Sequence, residues 1–250
     1  MGGMTQTDVI DDLEAEHDQF DALLSKLSPA DWTAPSAAAG WSVADVVLHL
    51  AQTEEVIPAA LAGERQGVDW RSFGDTVDAA MDAMVRAQPA EPADVFERWR
   101  AARVASVRAL RATDPSRRVQ WVASTVKPRS LATTRLAEHW AHALDIAVPL
   151  KLDYPDTMRL RHVAWLGFST LPYSFRLAGK PAPAVFCELT APDGSTWQFG
   201  DPSSPSRITG PAAAFCRVGA QRLAPADSGL RTEGPDSETA LRLLRNYAST

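Results

Sequence analysis

The sequence predicts a mostly α-helical protein in two parts: a helical bundle over residues 1–150 and a small α+β domain over residues 151–250. Three observations carry that reading. Apolar residues recur at spacings of three and four through most of the first 150 positions, with no convincing strand pattern among them. After Pro149 the pattern changes to short apolar runs separated by turn dipeptides. The chain has 250 residues, which at roughly one domain per ~150 residues means one large domain or two small ones.

In the first helix Ile10, Leu13, His17, Phe20, Leu24 and Leu27 form one buried stripe, and Ser28-Pro29 is expected to stop it. A connector with Trp32, Pro35 and Gly40 follows. Ser42 with Asp45 three residues on is a variant capping box, and Val43, Val46, Val47 and Leu50 give the inner face of the helix it opens, with His49 beside them. Phe73, Val77, Met81, Met84 and Val85 have helical spacing. The Gln88–Pro92 break separates them from a strong helix carrying Val95, Phe96, Trp99, Val104, Val107 and Leu110, which Asp114-Pro115 ends. Trp121 and Val122 fall in a linker closing at Lys127-Pro128. Ser130 is expected to cap a further helix through Leu131, Leu136, Trp140, Leu144 and Ile146, ended by Pro149. Four or five such helices bury their stripes as a bundle.

The second part opens with one more helix over Leu160–Leu171. Val185–Thr190 reads as a strand, Asp193-Gly194 as a hairpin turn, and Thr196–Phe199 as the returning strand. Arg207–Thr209 is a third strand, Gly210-Pro211 opens a helix through Phe215 and Val218, and Leu230–Gly234 is a last strand before a terminal helix with Ala240, Leu243, Leu244 and Tyr247.

Composition narrows the function classes. Hydrophobic residues make up 45% and charged residues 22%, which fits a globular protein and not a disordered or collagenous one. The net charge of −6 shows no basic footprint for nucleic acid. No apolar run approaches the ~20 residues of a membrane span, and the acidic N-terminus lacks a secretory pattern; the expected location is the cytoplasm, as a monomer or homodimer acting on a small molecule. Two cysteines, Cys187 and Cys216, exclude a four-cysteine zinc module, and both read as small buried hydrophobes. Ser169 and Ser174 lack a G-x-S-x-G context, and neither common glycine-rich nucleotide motif occurs.

The chemistry-bearing segment is Glu138-His139-Trp140-Ala141-His142. Residues four apart share a helix face, so Glu138 and His142 can bind one metal ion. His49, on an apolar helix, is the natural third ligand. Two imidazoles and one carboxylate leave positions open for water or substrate. This is not an H-E-x-x-H zincin motif, since Asp45 and Thr53 flank His49 at four residues. A solvated Glu/His pair and a core histidine are the bland alternatives.

Gly40-Trp41-Ser42-Val43-Ala44-Asp45 leading to His49-Leu50-Ala51, followed about ninety residues later by Glu138-x-x-x-His142, resembles the DinB-like metal-binding superfamily. More narrowly, it resembles the actinobacterial branch that includes mycothiol-dependent maleylpyruvate isomerase. The Trp32-Thr33-Ala34-Pro35 connector and Ile208-Thr209-Gly210-Pro211 extend the likeness over nearly the whole chain, and its arginine-rich, lysine-poor composition fits an organism that makes mycothiol. The resemblance implies a DinB-like four-helix metal domain followed by a smaller α+β domain, with metal ligands His49, Glu138 and His142. It implies zinc as the divalent metal, with iron, nickel and manganese also compatible, and mycothiol as thiol cofactor. It further implies a bundle arginine that holds a substrate carboxylate, for which Arg65, Arg71 and Arg86 are the candidates.

The function expected from these residues is a metal-dependent isomerase or thiol S-transferase, in which a metal-bound thiolate adds to an electrophilic small molecule. The alternatives are a thiol-independent metal enzyme (hydrolase, isomerase or lyase) and a non-catalytic metal-binding protein. His17, on the buried stripe of helix one, is either a core histidine or a pocket residue that contacts substrate, shuttles protons or adds a fourth ligand. His139 is rotated ~100° from Glu138, which places it at a helix interface or in solvent, and His162 reads as structural or solvated. Glu54 and Glu55 are general-base candidates against a simple charged face.

Overall fold

The computed structural model describes residues 8–64, 69–122 and 124–247. Two compact units divide it, one running through Tyr154 and the other over Pro155–Tyr247. The fold is mostly α, with its four-stranded sheet in the second unit, as the sequence predicts.

Four long helices build the first unit: α1 (Val9–Leu24), α3 (Val43–Ala62), α5 (Pro92–Ala112) and α6 (Pro128–Leu150), joined by the short α2 (Pro29–Thr33) and by α4 (Val77–Arg86). Helix α3 lies along α5 and α6, and α1 packs on α5 and α6 from the other side. Leu13, Phe20, Leu24, Leu50, Ile57, Trp99, Leu110 and Leu131 are fully buried and form the centre. Each apolar side chain of this size removed from water contributes about 1.5–3 kcal/mol.

The local signals explain most boundaries. Ser42 Oγ accepts the Asp45 N–H and the Asp45 carboxylate accepts the Ser42 N–H, so the expected capping box starts α3. Gly63, at φ +83°, ends it in the left-handed conformation that a side chain disfavours. Elsewhere the boundaries depart from expectation. Helix α1 ends at Leu24 with Ser25 as its C-cap, so Leu27 lies outside it and Ser28-Pro29 is not what stops it. That dipeptide opens α2, because Ser28 and Asp31 form a second capping box with proline in the first turn. Helix α6 starts at Pro128, not after Ser130, since a first-turn proline has no N–H to leave unpaired. Pro149 lies inside the last turn of α6, which ends at Lys151 in the left-handed region. Phe73 lies outside α4 and is 45% exposed, because Thr76 caps that helix three residues later. Val104, counted on the inner face of α5, is 64% exposed. The linker around Trp121 forms a two-residue hairpin, β1 (Val119–Gln120) with β2 (Thr125–Val126).

In the second unit, α7 (Leu160–Leu177) precedes the strands β3 (Val185–Thr190), β4 (Thr196–Phe199), β5 (Ser206–Pro211) and β6 (Arg231–Glu233), in the sheet order β4-β3-β5-β6. The Asp193-Gly194 turn makes β3 and β4 an antiparallel hairpin, with Cys187 opposite Phe199. Strand β5 lies on the far side of β3 and runs parallel to it, so the chain crosses over after β4. The helices α8 (Ala212–Gly219) and α9 (Ser237–Leu243) pack with α7 around Phe175, Phe186, Trp197 and Phe215, which are fully buried. Leu244 and Tyr247 follow α9 rather than extending it.

Candidate metal centre

Helix α3 carries His49, and helix α6 carries Glu138 and His142 four residues apart. The packing of α3 against α6 brings one donor atom of each within 4.8 Å of the others. His142 Nε2 lies 3.5 Å from Glu138 Oε2, and the rings of His49 and His142 have centroids 5.1 Å apart. Bonds of about 2.0–2.2 Å at tetrahedral angles require donors roughly 3.3–3.5 Å apart, so the Glu138–His142 pair already has the spacing of two ligands of one ion.

The hydrogen bonding supports the fit. Asp145 Oδ2 lies 2.9 Å from His142 Nδ1. A carboxylate there takes the imidazole N–H and leaves the lone pair of Nε2 facing the Glu138 oxygen. Two acceptors facing each other need a cation or a proton between them, and a histidine ligand backed by a carboxylate is the usual outer-shell arrangement of a metal site. His49 is buried with Nδ1 lacking any hydrogen-bond partner among the described residues. Burial pulls the His49 pKa down to about 3, helped by His142 and opposed by Glu138, so its imidazole is neutral and able to ligate. For His142 burial acts downward, but the hydrogen bonds to Asp145 and Glu138 outweigh it and raise the pKa. Burial acts upward on Glu138, and His142, Arg135 and His49 together hold the carboxyl well below its usual range.

Trp41 covers this group. Its ring centroid is 5.2 Å from His49 and 6.4 Å from His142, near-parallel to the latter. Trp41 Nε1 donates to Asp82 on α4 at 2.8 Å. The loop that carries it is held at both ends: Ser36 N–H donates to the Trp41 carbonyl, and Ala37 N–H donates to the Asp145 carbonyl at 2.8 Å. Pro149 has no N–H, so the Asp145 carbonyl lacks its ordinary helical donor four residues on and accepts from the loop.

The other sequence candidates lie elsewhere. Glu54, His139 and His17 form a second group whose donors also lie within 4.8 Å of one another, all buried. Its chemistry differs. Arg135 Nε donates to Glu54 Oε1 at 2.7 Å and Arg135 Nη2 to Thr53 Oγ1 at 2.8 Å. Trp99 Nε1 donates to His139 Nε2 at 3.1 Å, which forces the proton of that ring onto Nδ1, where the Arg135 carbonyl accepts it at 2.9 Å. His139 therefore has no lone pair to offer, and Glu54 is neutralised by arginine. His17 stacks edge-on to His139, with centroids 4.3 Å apart and neither ring nitrogen partnered among the described residues. Burial lowers its pKa to about 4 against an opposing pull from Glu54. Glu55 is exposed and paired with Arg98.

Among the arginine candidates, Arg65 lies outside the described residues, and Arg71 sits over the Trp70 ring at 4.2 Å. Arg86 donates to the Gly40 carbonyl, next to Trp41, and lies 3.4 Å from Asp82. Cys187 and Cys216 are buried and unbridged. Burial drives both thiols upward, Cys187 to about 12, so neither is a ready thiolate. His162 lies half-buried on α7. Sequence reasoning missed Asp145 and Arg135. The i, i+3 spacing of Asp145 from His142 is the signal that finds the first.

The family model described as the mycothiol maleylpyruvate isomerase N-terminal domain matches residues 13–147. Among curated proteins, uncharacterized proteins of Mycobacterium tuberculosis, from strains CDC 1551 and H37Rv, are each 33% identical over 241 residues, covering 95% of this chain and 94% of theirs. Among solved structures, the crystal structure of the mycothiol-dependent maleylpyruvate isomerase matches with a TM-score of 0.62 at 16% identity, covering 91% of this chain and 95% of that one. A histidine-to-alanine mutant of that isomerase matches over the same shares with a TM-score of 0.60. At that identity the likeness is one of fold.

Proposed function

Since the chain belongs to the mycothiol maleylpyruvate isomerase N-terminal domain family, we propose that it is a metal-dependent enzyme that uses mycothiol to isomerise, or transfer sulfur to, a small electrophilic molecule. The observation that carries the reading is the His49, Glu138 and His142 group with Asp145 behind it. A divalent cation held there, zinc by preference, would stabilise a thiolate over a thiol and so supply a nucleophile at neutral pH.

The chain's own residues do the rest. His49 offers a neutral imidazole, His142 would offer Nε2 when a cation takes the place of its proton there, Glu138 adds the negative charge, and Asp145 fixes the ring of His142. Three protein donors form the group, which favours an open, catalytic coordination over a closed structural one. Trp41 narrows the approach and presents an aromatic face to whatever binds beside the imidazoles. The protein is expected to lie in the cytoplasm; no helix among the described residues is long and apolar enough to cross a membrane.

The test is elemental analysis of protein purified without chelator, followed by assay of candidate electrophiles with and without mycothiol. Metal in stoichiometric amount that is lost in His49→Ala and Glu138→Ala, with turnover that requires the thiol, is the expected result. Metal that persists in both variants would rule out the ligand set. Turnover independent of mycothiol would move the protein to the metal-activated water class.

A further inference from the structure

Arg135 lies on α6 one helical turn before Glu138, and Thr53 and Glu54 lie on α3 just over one turn after His49. All three side chains are buried. The Arg135 guanidinium crosses the helix interface and holds α3 at two adjacent residues. Its Nε donates to Glu54 Oε1 at 2.7 Å, and its Nη2 donates to Thr53 Oγ1 at 2.8 Å. Thr53 Oγ1 in turn lies 3.0 Å from the His49 carbonyl oxygen and 3.1 Å from that of Leu50. One chain of hydrogen bonds therefore runs from the main chain of His49 to the helix that carries Glu138 and His142. The Arg135 carbonyl extends the network, because it accepts from His139, whose other ring nitrogen accepts from Trp99 on α5.

Stability alone does not account for this arrangement. A buried ion pair is often no more stabilising than apolar side chains of the same volume. This one is also incompletely satisfied. Glu54 Oε2 and both ring nitrogens of neighbouring His17 are buried without hydrogen-bond partners among the described residues, and groups left so are destabilising. What the pair adds is direction. Apolar ridges and grooves tolerate a small slide or rotation of one helix on another. A charge-assisted hydrogen bond fixes both a distance and an angle. The best-attested use of buried polar groups is to set register. Here the register that matters is that of α3 on α6, because it sets the separation of His49 from Glu138 and His142.

We propose that Arg135 is a positioning residue for the metal centre: by holding Thr53 and Glu54 it sets α3 against α6 and so keeps His49 in reach of the ion that Glu138 and His142 share. A guanidinium has no lone pair to offer, so Arg135 acts only through the ligands it places. The inference rests on the reading of His49, Glu138 and His142 as ligands.

The test uses the full chain stripped of metal by chelator and titrated with cobalt(II), whose visible absorption reports both affinity and coordination geometry. Urea denaturation of the metal-free protein reads stability alongside. Arg135→Leu combined with Glu54→Leu replaces the ion pair by apolar side chains and should keep a midpoint near the parent's. It should nonetheless bind cobalt about tenfold or more weaker, the scale of losing a partner behind a ligand, with an altered visible spectrum. A merely structural pair would leave both cobalt readouts unmoved once stability is restored. Thr53→Val removes the acceptor of Arg135 Nη2 at nearly constant volume and should shift affinity and spectrum the same way, and Thr53→Ser should restore them. Glu54→Gln keeps an amide oxygen for Arg135 Nε and is the conservative variant at that end. His49→Ala separates the proposal from the reading beneath it. If His49→Ala loses cobalt while the double variant and Thr53→Val keep the parent's affinity and spectrum, the positioning role is overturned and the ligand set stands. If His49→Ala binds as the parent does, the ligand set falls and the proposal falls with it.

Discussion

Two groups of identical composition, two histidines and a glutamate, both draw on α3 and α6, and the second adds His17 from α1. What surrounds them separates their roles. In the His49, Glu138 and His142 group, the outer partner is an acid, Asp145, which takes the ring proton and leaves lone pairs turned inward. In the His17, Glu54 and His139 group, the outer partners are donors. Trp99 caps the one lone pair of His139 and Arg135 neutralises Glu54. Donor counting thus distinguishes a ligand set from a structural network where residue identity and proximity do not.

The largest expected effect tests the comparison directly. His49→Ala or Glu138→Ala should lower metal affinity by more than the roughly 10–100-fold that loss of an outer-shell partner costs, whereas Glu54→Gln should leave metal content unchanged. Metal analysis of the purified variants reads both. Next comes the buried pair. Arg135→Leu leaves Glu54 as an uncompensated buried charge and should cost about 3–5 kcal/mol of stability in urea denaturation, and adding Glu54→Leu should recover most of that. An unaltered midpoint in the single variant would mean that the pair does not govern the second group.

Smaller effects sharpen the contrast. Asp145→Asn should weaken metal binding by roughly 10–100-fold, measured by chelator competition, with little change of fold. The gentlest is acid sensitivity. His17 titrates near 4 in the folded chain and at its ordinary value of 6.5 when unfolded. Between those values the unfolded state binds a proton that the folded state refuses, so stability falls as the pH drops, by about 1.4 kcal/mol per unit from this group. His17→Leu should remove that share of the slope; an unchanged slope in a pH series of urea midpoints would assign the acid limb to other groups.

Much of this was legible in the sequence. The i, i+4 spacing of Glu138 and His142 forces a shared helix face, and the Ser42–Asp45 box fixes where α3 begins, so the positions of three candidate ligands follow from local rules. The rest depends on packing between helices. Periodicity places Val104 on a stripe but does not say how wide the buried face is. A sequence gives no sign that Arg135 is buried rather than solvated, because that depends on Glu54 meeting it from another helix. Glu54 and Glu55, adjacent and alike, part company for the same reason: one faces α6 and the other faces Arg98.

Pro149 shows how a helix defect can specify tertiary structure. A proline near a helix end reads as punctuation, yet here the acceptor it vacates on Asp145 is the one that receives Ala37. The same residue, Asp145, therefore addresses the Trp41 loop with its main chain and His142 with its side chain. An alanine at position 149 would improve the helix and at once set its own N–H in competition with Ala37 for that oxygen. The loop would then be docked by one contact fewer, so a gain in helix propensity would be exchanged for a looser wall beside the imidazoles.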